Sequence, residues 1–486
     1  MATVTTAASP ITLGPLDQIA PRIYVRSVFV FDVDGDFDIN KAICHIATRL
    51  KLSLKRWPFL AGQIRPAANP TQLNQLELSY DLDESRSDPL QRPDIFAYEF
   101  CRGLWGFQYE ELKGLGMPPS AMDKDVLSLS PDHPKPGESC PPITLKVTRV
   151  DRDGLILCFS THHAIFDGGF IKTFLEFFGN GCMDVPGTFL GELANRPSMD
   201  QYKGTNIKNA AFPEYNFTKN PDLVPGMNGL TVGQVAKAPK AVCLLFKIQD
   251  ATLRTLHDQA LAKLRLQYGP DAFVSVVDTL SALVWVHTTR ARLQHLALDD
   301  KTSFTTAADA RLRLSPAFSA DSWGNVYTQT SASTTVADLI QHQDTVDADA
   351  TPAIIAAAWL IRQAVNQVSA PGYIPSRIAL AASLADPTAE GAAFRRALRP
   401  DHAGLGCSVW THMGADVDFR IPGTAGKADY VRKTWSANDG SMNIMQRRGV
   451  TKGEAPWEVL LALREDDMKR ICAPTELGRW AFSWCG

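Results

Sequence analysis

The stretch Thr161-His162-His163-Ala164-Ile165-Phe166-Asp167-Gly168-Gly169 separates a strand-like apolar run from apolar residues at helical spacing. The predicted fold depends on this change. The apolar run 155–159 that precedes it is typical of a buried strand. Phe170, Phe174 and Phe178 follow at helical spacing, so the region predicts a strand, a turn and a helix. A histidine at that turn can take up and release a proton near neutral pH, because its ordinary pKa is about 6.5.

The spacing His-x-x-x-Asp carries little weight by itself, because the chain contains it three times, at 163–167, 295–299 and 412–416. The first copy alone has a second histidine before it and a glycine after the aspartate. These additions lower the chance expectation by about a thousandfold. His295 lies near a helix end and His412 in a glycine-containing loop, so we interpret both of these copies as coincidental.

A metal site is a poor explanation for the paired histidines, and we expect none. Adjacent residues of a strand point to opposite faces, so His162 and His163 cannot readily bind one ion. Opposite faces suit a division in which one imidazole faces a reaction and the other packs internally. A second explanation stays open at this point, a hydrogen-bonded core histidine beside an Asp167 that caps the next helix.

The composition is that of a globular protein with a large core, since 45% of the 486 residues are hydrophobic and 21% are charged. The length accommodates two or three ordinary domains or two large lobes. A net charge of −3 and the lack of a basic run argue against nucleic acid as a partner. Nine cysteines without CxxC spacing indicate reduced thiols.

The beginning of the chain and its apolar stretches give no sign of a membrane partner. The N-terminus lacks the charged and apolar regions of a signal peptide. The longest apolar stretch, 353–361, is shorter than the about 20 residues that span a bilayer. We therefore expect a cytoplasmic protein, and we expect a monomer.

Strands and helices alternate along the chain without a regular repeat, which predicts a mixed-sheet α/β fold. Residues 81–142 are polar and rich in proline, so we expect loops and short helices there. Apolar periodicity nearly vanishes over 196–239, which we interpret as a crossover between an N-terminal lobe over 1–195 and a C-terminal lobe over 240–486.

Several segments resemble, in order along the chain, the signature segments of one enzyme family. They are Pro15-Leu16-Asp17-Gln18, RWPFLAG at 56–62, the motif at 162–168, the helix-like stretch 275–292, and 309–316 followed by Trp323-Gly324-Asn325. The chain resembles the BAHD acyl-CoA-dependent acyltransferases, which share their motif and fold with nonribosomal condensation domains. The resemblance implies a two-lobed, chloramphenicol-acetyltransferase-like fold with a channel between the lobes, in which a segment near 385–420 packs with the N-terminal lobe.

The resemblance also assigns roles within the motif. His163 would be the general base. Asp167 would form a buried ion pair or cap that fixes the loop, without touching substrate. Gly168 and Gly169 would allow a tight turn and leave room beside the base, and the role of His162 stays unassigned.

Residues outside the motif receive roles by the same resemblance. Ser408 and Trp410 match the polar-x-Trp strand that approaches the reacting centre, where an oxyanion needs a hydrogen-bond donor. Ser275 and the Trp323-Gly324-Asn325 turn would lie near the pantetheine arm of coenzyme A.

The chain departs from the family at its expected Asp-Phe-Gly-Trp-Gly segment, which reads Asp418-Phe419-Arg420-Ile421-Pro422. This motif is structural in the family, so its loss need not abolish activity, and a divergent microbial branch fits best. By the family pattern, Asp418 would form an ion pair with Arg311.

The expected function is that of an acyltransferase that moves an acyl group from acyl-CoA, as co-substrate, to a hydroxyl or amine of a specialised metabolite. No cofactor is expected to stay bound. Two alternatives remain open: a condensation-type catalyst that uses a carrier-protein thioester, and a relative that binds or cyclises a metabolite without acyl transfer.

Overall fold

The computed structural model describes residues 10–81, 88–104, 106–180, 198–207, 240–341, 350–388, 404–435, 438–446 and 455–486. In this part of the chain the strands are β1 (Ile11–Thr12), β2 (Tyr24–Asp32), β3 (Gln63–Pro66), β4 (Leu76–Ser79), β5 (Phe96–Cys101), β6 (Ile143–Val150), β7 (Gly154–His162), β8 (Ala241–Ile248), β9 (Lys301–Asp309), β10 (Tyr327–Thr335), β11 (Leu405–Val409), β12 (Tyr430–Arg432), β13 (Ser441–Ile444), β14 (Trp457–Arg464) and β15 (Ala481–Cys485).

The helices in the same part of the chain range from one turn to five turns. They are α1 (Pro15–Ile19), α2 (Ile39–Arg56), α3 (Tyr109–Gly114), α4 (Lys124–Leu127), α5 (Gly168–Asn180), α6 (Asp250–Tyr268), α7 (Val276–Ala291), α8 (Val336–Ile340), α9 (Thr351–Gln367), α10 (Tyr373–Ser383) and α11 (Glu465–Ile471).

A five-stranded sheet in the order β12-β2-β7-β6-β5 carries the motif at the end of its central strand, β7. The side chains of β2 alternate between two cores: Phe29 and Phe31 belong to one, and Val28 and Val30 to the other. Because both faces are covered, β2 and β7 are apolar along nearly their whole length. The antiparallel hairpin of β6 and β7 confirms the predicted strand before the motif.

A seven-stranded sheet in the order β10-β9-β11-β13-β14-β8-β15 forms the second lobe. Helices α6, α7 and α9 pack with its apolar residues in a core of their own. A short sheet of β1, β4 and β3 completes the described strands. The two large mixed sheets with flanking helices confirm the predicted two-lobed α/β class.

The C-terminal half of the chain also contributes to the N-terminal sheet. β12 pairs antiparallel with β2, with Val431 opposite Phe29. Phe419 packs against Phe29, Phe31 and Phe178, with ring centroids 5.0 to 6.0 Å apart. The crossover predicted at 196–239 lies mostly outside the described residues, so the lobe boundaries stay a prediction.

The strand β5 lies where the sequence predicted only loops and short helices. It is an edge strand that runs parallel to β6. Tyr98 and Phe100 are exposed along it. Aromatic residues do alternate along it, at 96, 98 and 100, but the alternation is short and lies in a polar, proline-rich segment.

None of the helices in the described ranges is both long enough and apolar enough to cross a bilayer.

Candidate active site

His163 lies immediately after β7, where the chain leaves the five-stranded sheet and turns into α5. Its backbone N–H donates to the Ile23 carbonyl (2.9 Å), which fixes the turn against the residue that precedes β2. Its side chain lines a cavity of about 550 Å³ whose walls include Val25 of the five-stranded sheet and Ser408 of the seven-stranded sheet. The predicted base therefore faces a cavity between the two lobes.

The environment of His163 favours a neutral imidazole. Burial lowers the pKa of His163 below its ordinary value, and contacts with its own backbone, with Asp167 and with Asn325 partly offset this shift. The ring atom Nδ1 is buried without a hydrogen-bond partner from another residue. A neutral imidazole can accept a proton, which is the form that a general base requires.

Asn325 and Asp17 hold the backbone of His163 in place. The Asn325 side-chain amide Nδ2 donates to the His163 carbonyl (2.8 Å) and to Asp17 Oδ1 (3.0 Å). The Asn325 backbone N–H donates to the same Asp17 oxygen at 2.6 Å. Asp17 in turn accepts from the backbone N–H of Gly14 (2.9 Å), before α1. The N-terminal signature residue thus supports the motif through Asn325.

Asp167 lies on the cavity wall, where its carboxylate is held in an ion pair with Arg311. The two Arg311 guanidinium nitrogens Nη1 and Nη2 donate to the two carboxylate oxygens at 2.8 and 2.9 Å. Backbone N–H groups of Phe170 and Val326 complete the set, both at 2.9 Å. Asp167 is 3% exposed and Arg311 1%. This geometry agrees with the predicted structural role of Asp167 as both ion-pair partner and helix cap.

His162 packs internally and is not among the residues that line the cavity. Its Nδ1 accepts a hydrogen bond from the Ala164 backbone N–H (3.2 Å), so the ring carries its proton on Nε2. The ring stands edge-on to Tyr24 at 5.3 Å. Burial lowers the pKa of His162 to about 3, so the ring is neutral at neutral pH. The two histidines therefore point to different environments, as strand geometry predicts.

The two glycines of the motif serve different neighbours. Gly168 lines the cavity, as predicted. At Gly169 a Cβ atom would lie 2.6 Å from Arg311 Nη1, so this glycine makes room for the guanidinium instead of for the base. Side-chain volume at 169 would therefore disturb the Asp167–Arg311 pair first.

The predicted ion pair between Asp418 and Arg311 is wrong. Arg311 is bound by Asp167 and, at 3.3 Å, by Asp309. Asp418 instead accepts the backbone N–H of Arg420 (2.9 Å). Arg420 has φ +51° where the family has glycine, so the backbone keeps the left-handed turn although the glycine is lost.

The structure does not bring the residues predicted near coenzyme A into the cavity wall. The Ser275 hydroxyl caps α7 by accepting the Asp278 N–H (3.1 Å). Trp323 is buried and stacks on Phe59 at 4.3 Å. The Gly324 carbonyl accepts from Arg311 (3.1 Å), and Asn325 supports His163. The 323–325 turn therefore supports the motif, and its contact with coenzyme A stays a prediction.

Ser408 and Trp410, predicted from the polar-x-Trp strand, both line the cavity that contains His163. Ser408 lies on β11 in register with Asn443 of the parallel strand β13. Ser441 occupies the same face two residues earlier, and it also lines the cavity. The end of this sheet therefore presents polar side chains towards the base.

Many further residues line the cavity without having been predicted there, among them Tyr327, His412 and Lys433. The Tyr327 ring lies 5.7 Å from the His163 ring, and burial raises the pKa of its hydroxyl, which stays protonated. His412 is exposed at the cavity edge, so our interpretation of it as coincidental overlooked its place two residues after Trp410. Tyr327 likewise follows Asn325 by two residues, whereas nothing in the sequence distinguished Lys433.

His295, which begins another copy of the His-x-x-x-Asp spacing, forms a cluster with Asp466 and Asp467. Their ligand atoms lie within 4.8 Å of one another. However, Asp467 is surrounded by arginines: Arg470 contacts it directly and Arg292 lies at 3.6 Å. Their charges already compensate the carboxylate, which leaves little attraction for a metal cation.

Two lobes that enclose a histidine, with the aspartate of the motif held in a buried ion pair, define a class of transferases. The model of the Transferase family matches residues 110–477. The chain belongs to this family, the BAHD-type acyltransferases.

The chain is similar to several fungal proteins. It is 26% identical to the acyltransferase easC of Emericella nidulans over 327 residues, which cover 65% of each protein, so the match spans just under two thirds of that relative. It is 22% identical to the O-acetyltransferase anaAT of Neosartorya fischeri over 96% of both chains. The structure of F. graminearum TRI101 complexed with coenzyme A and deoxynivalenol has the same fold, with a TM-score of 0.79 and 21% identity over 99% of this chain and all of that one.

Proposed function

We propose that the protein transfers an acyl group from acyl-coenzyme A to a hydroxyl or amine of a specialised metabolite, with His163 as the general base. The observation that carries the proposal is the neutral His163 ring in the interlobe cavity, with Asp167 held in an ion pair by Arg311. The names of the relatives, an acyltransferase and an O-acetyltransferase, support acyl transfer. The coenzyme A in the TRI101 complex supports the donor class.

The proposed reaction needs one proton acceptor and no change of oxidation state. The His163 imidazole takes the proton from the acceptor oxygen or nitrogen as that atom attacks the thioester carbonyl. The carbon–sulfur bond then breaks, and the imidazolium returns its proton to the departing thiolate. A positioned base contributes typically about 10²–10⁴ in rate, and holding both substrates in one cavity adds to this.

The tetrahedral intermediate requires a donor at the developing oxyanion. Ser408 is the side chain we propose for this role, because its hydroxyl lies on the cavity face of β11 and makes no hydrogen bond to a described residue. Trp410 lies on the same wall and is 6% exposed, so we propose that it shapes the pocket beside the reacting carbonyl.

The deciding experiment compares His163→Ala with His412→Ala, since both histidines line the cavity but His412 is exposed at its edge. Thiol release from a panel of acyl-coenzyme A donors is followed with candidate alcohols and amines, and products are identified by mass spectrometry. We expect His163→Ala to lose about 10²–10⁴-fold in kcat with unchanged thermal unfolding. His412→Ala should keep turnover.

Acyl transfer that survives in His163→Ala would contradict the proposed base. Turnover with acyl-carrier-protein thioesters but not with coenzyme A thioesters would replace the donor and favour a condensation-type catalyst. Binding of metabolites with no acyl product from any donor would favour the non-acylating alternative.

A further inference from the structure

Several charged side chains of the cavity wall are compensated within the protein. The described carboxylates on the wall, Asp167 and Asp309, both bind Arg311. Lys172 pairs with Glu176 at 3.7 Å on the surface of α5. The wall also carries cations outside these pairs, and Lys433 is one of them.

Lys433 is a cation on this wall that no described carboxylate compensates. It follows β12 directly, and its ammonium makes one long hydrogen bond, to the neutral Asn443 Oδ1 at 3.4 Å. The carboxylate that attracts it, Asp132, is already bound by Arg26 at 2.6 Å and Lys124 at 3.5 Å. Burial lowers the pKa of Lys433, because a half-buried ammonium without a counter-charge is costly.

Further hydrogen-bond donors lie beside Asn443, the partner of this ammonium. Asn443 and Ser441 occupy one face of β13, and Ser408 lies beside Asn443 on the neighbouring strand, about 4.8 Å away across the sheet. Neither serine hydroxyl bonds to a residue that the structure describes. The group therefore joins one positive charge to several neutral donors.

We propose that Lys433, with Asn443 and Ser441, forms a subsite for a single carboxylate on the acceptor molecule. The inference rests on the proposed function, since it assigns the acceptor's chemical class at the same site. One ammonium among neutral donors matches one carboxylate in charge and hydrogen bonding. The phosphates of coenzyme A carry several charges, which one half-buried lysine does not balance.

The test measures binding instead of turnover. Small hydroxy acids of graded length, beginning with 4-hydroxybenzoate, are each compared with their uncharged methyl esters by calorimetry. Wild type, Lys433→Met and Lys172→Met are used. Lys172→Met is the matched control, because Lys172 also lines the cavity but has a carboxylate partner. We expect the best acid to bind wild type at least about tenfold more tightly than its ester, as a charge-assisted hydrogen bond implies.

Lys433→Met should remove this preference, and Lys172→Met should keep it. Equal affinity of acids and esters for wild type across the series, or a preference that survives in Lys433→Met, would overturn the subsite. Coenzyme A and pantetheine are titrated alongside. A Lys433→Met loss that affects coenzyme A but not pantetheine would move the ammonium to the donor's phosphates and equally overturn it.

Repeating the acid and ester titrations in His163→Ala separates this inference from the proposed function. The preference for acids should persist there although chemistry is absent. If wild type binds acids more tightly than esters but transfers no acyl group, the proposed function alone is refuted. A uniform fall in the kcat of Lys433→Met for acids and esters, without a change in binding, would assign Lys433 to the oxyanion and refute the carboxylate subsite.

Discussion

In the rear network of Asp17, Asp167, Arg311 and Asn325, Asp167 accepts four hydrogen bonds, whereas Lys433 has one long bond to a neutral amide among the described residues. The two side chains line the same cavity but follow opposite rules. Asp167 is 3% exposed, so its oxygens must be satisfied within the protein. Lys433 is half-buried and keeps a charge and donors available. The difference separates residues that build the site from residues that meet a ligand.

Arg311→Met is the largest disturbance of the rear network. Asp167 would keep two backbone donors but lose its counter-charge while 3% exposed. Breaking a buried pair from one side costs about 3–5 kcal/mol, so the free energy of unfolding should fall by that amount in denaturant titrations. Asp167→Asn combined with Arg311→Met removes both charges and should recover part of the loss. A double variant no more stable than Arg311→Met would argue against coupling of the pair.

Asn325→Ala tests whether the rear network positions the base. The substitution removes the donor to the His163 carbonyl but leaves the cavity wall intact. Displacement of a catalytic group is expensive, so we expect kcat to fall about 10–100-fold, with the KM for the acyl donor unchanged. A raised KM at constant kcat would instead support the contact with coenzyme A predicted from sequence.

The pH dependence of stability distinguishes the histidine behind the cavity wall. His162 has a pKa of about 3 in the folded protein and about 6.5 when unfolded. Above pH 6.5 His162 is neutral in both states, so it does not change the free energy of unfolding. As pH falls below 6.5 the unfolded chain takes up a proton that the folded chain refuses, and stability declines by up to about 1.4 kcal/mol per pH unit until pH 3. His162→Asn retains an acceptor for the Ala164 N–H without titrating.

The slope of unfolding free energy against pH should therefore be shallower in His162→Asn by about one proton between pH 6 and 4. Burial also lowers the pKa of His163, and its effect on the pH dependence of stability is the same in wild type and in His162→Asn. An unchanged slope would show that His162 is protonated in the folded state, contrary to its internal packing.

The smallest expected effect lies outside both regions, at the turn that lost its glycine. Arg420 adopts φ +51° with an exposed side chain. Glycine relieves that conformation but adds freedom to the unfolded chain, so we expect Arg420→Gly to stabilise by about 0.5–1 kcal/mol. Thermal unfolding measures this, with Arg420→Ala as the control that keeps the strain. A lower melting temperature for Arg420→Gly than for Arg420→Ala would mean that the turn carries too little strain to offset the freedom that glycine adds to the unfolded chain.

Local pattern was sufficient to predict the strand, turn and helix of the motif, because these depend on the spacing of apolar residues between 155 and 178. The division of roles between His163 and Asp167 followed from the family resemblance, and the geometry agrees with it. The partner of Asp167 could not be chosen in the same way. Arg311 lies 144 positions later, and only the packed lobes show that it faces Asp167 and not Asp418.

The cavity wall was less predictable than the network, since segments distant in sequence contribute single residues to it. Ser408 and Trp410 were found because the family has a signature there. Lys433 has no signature, and its character depends on the lack of a nearby carboxylate, which is a property of the packed structure. The edge strand β5 was missed because the polar, proline-rich composition of residues 81–142 outweighed the short alternation of Phe96, Tyr98 and Phe100.

The long reach of the rear network also determines when the site exists during synthesis. A nascent chain has the complete motif once Gly169 emerges, but the donor to the His163 carbonyl lies 162 positions after it, at Asn325. Asp17 is synthesised earlier still, and its partner Asn325 follows 308 positions later. Since N-terminal segments emerge and begin to fold first, the histidine stays without its supports until the second lobe is made. Truncated products from the first half of the gene would therefore carry the signature sequence without a working base.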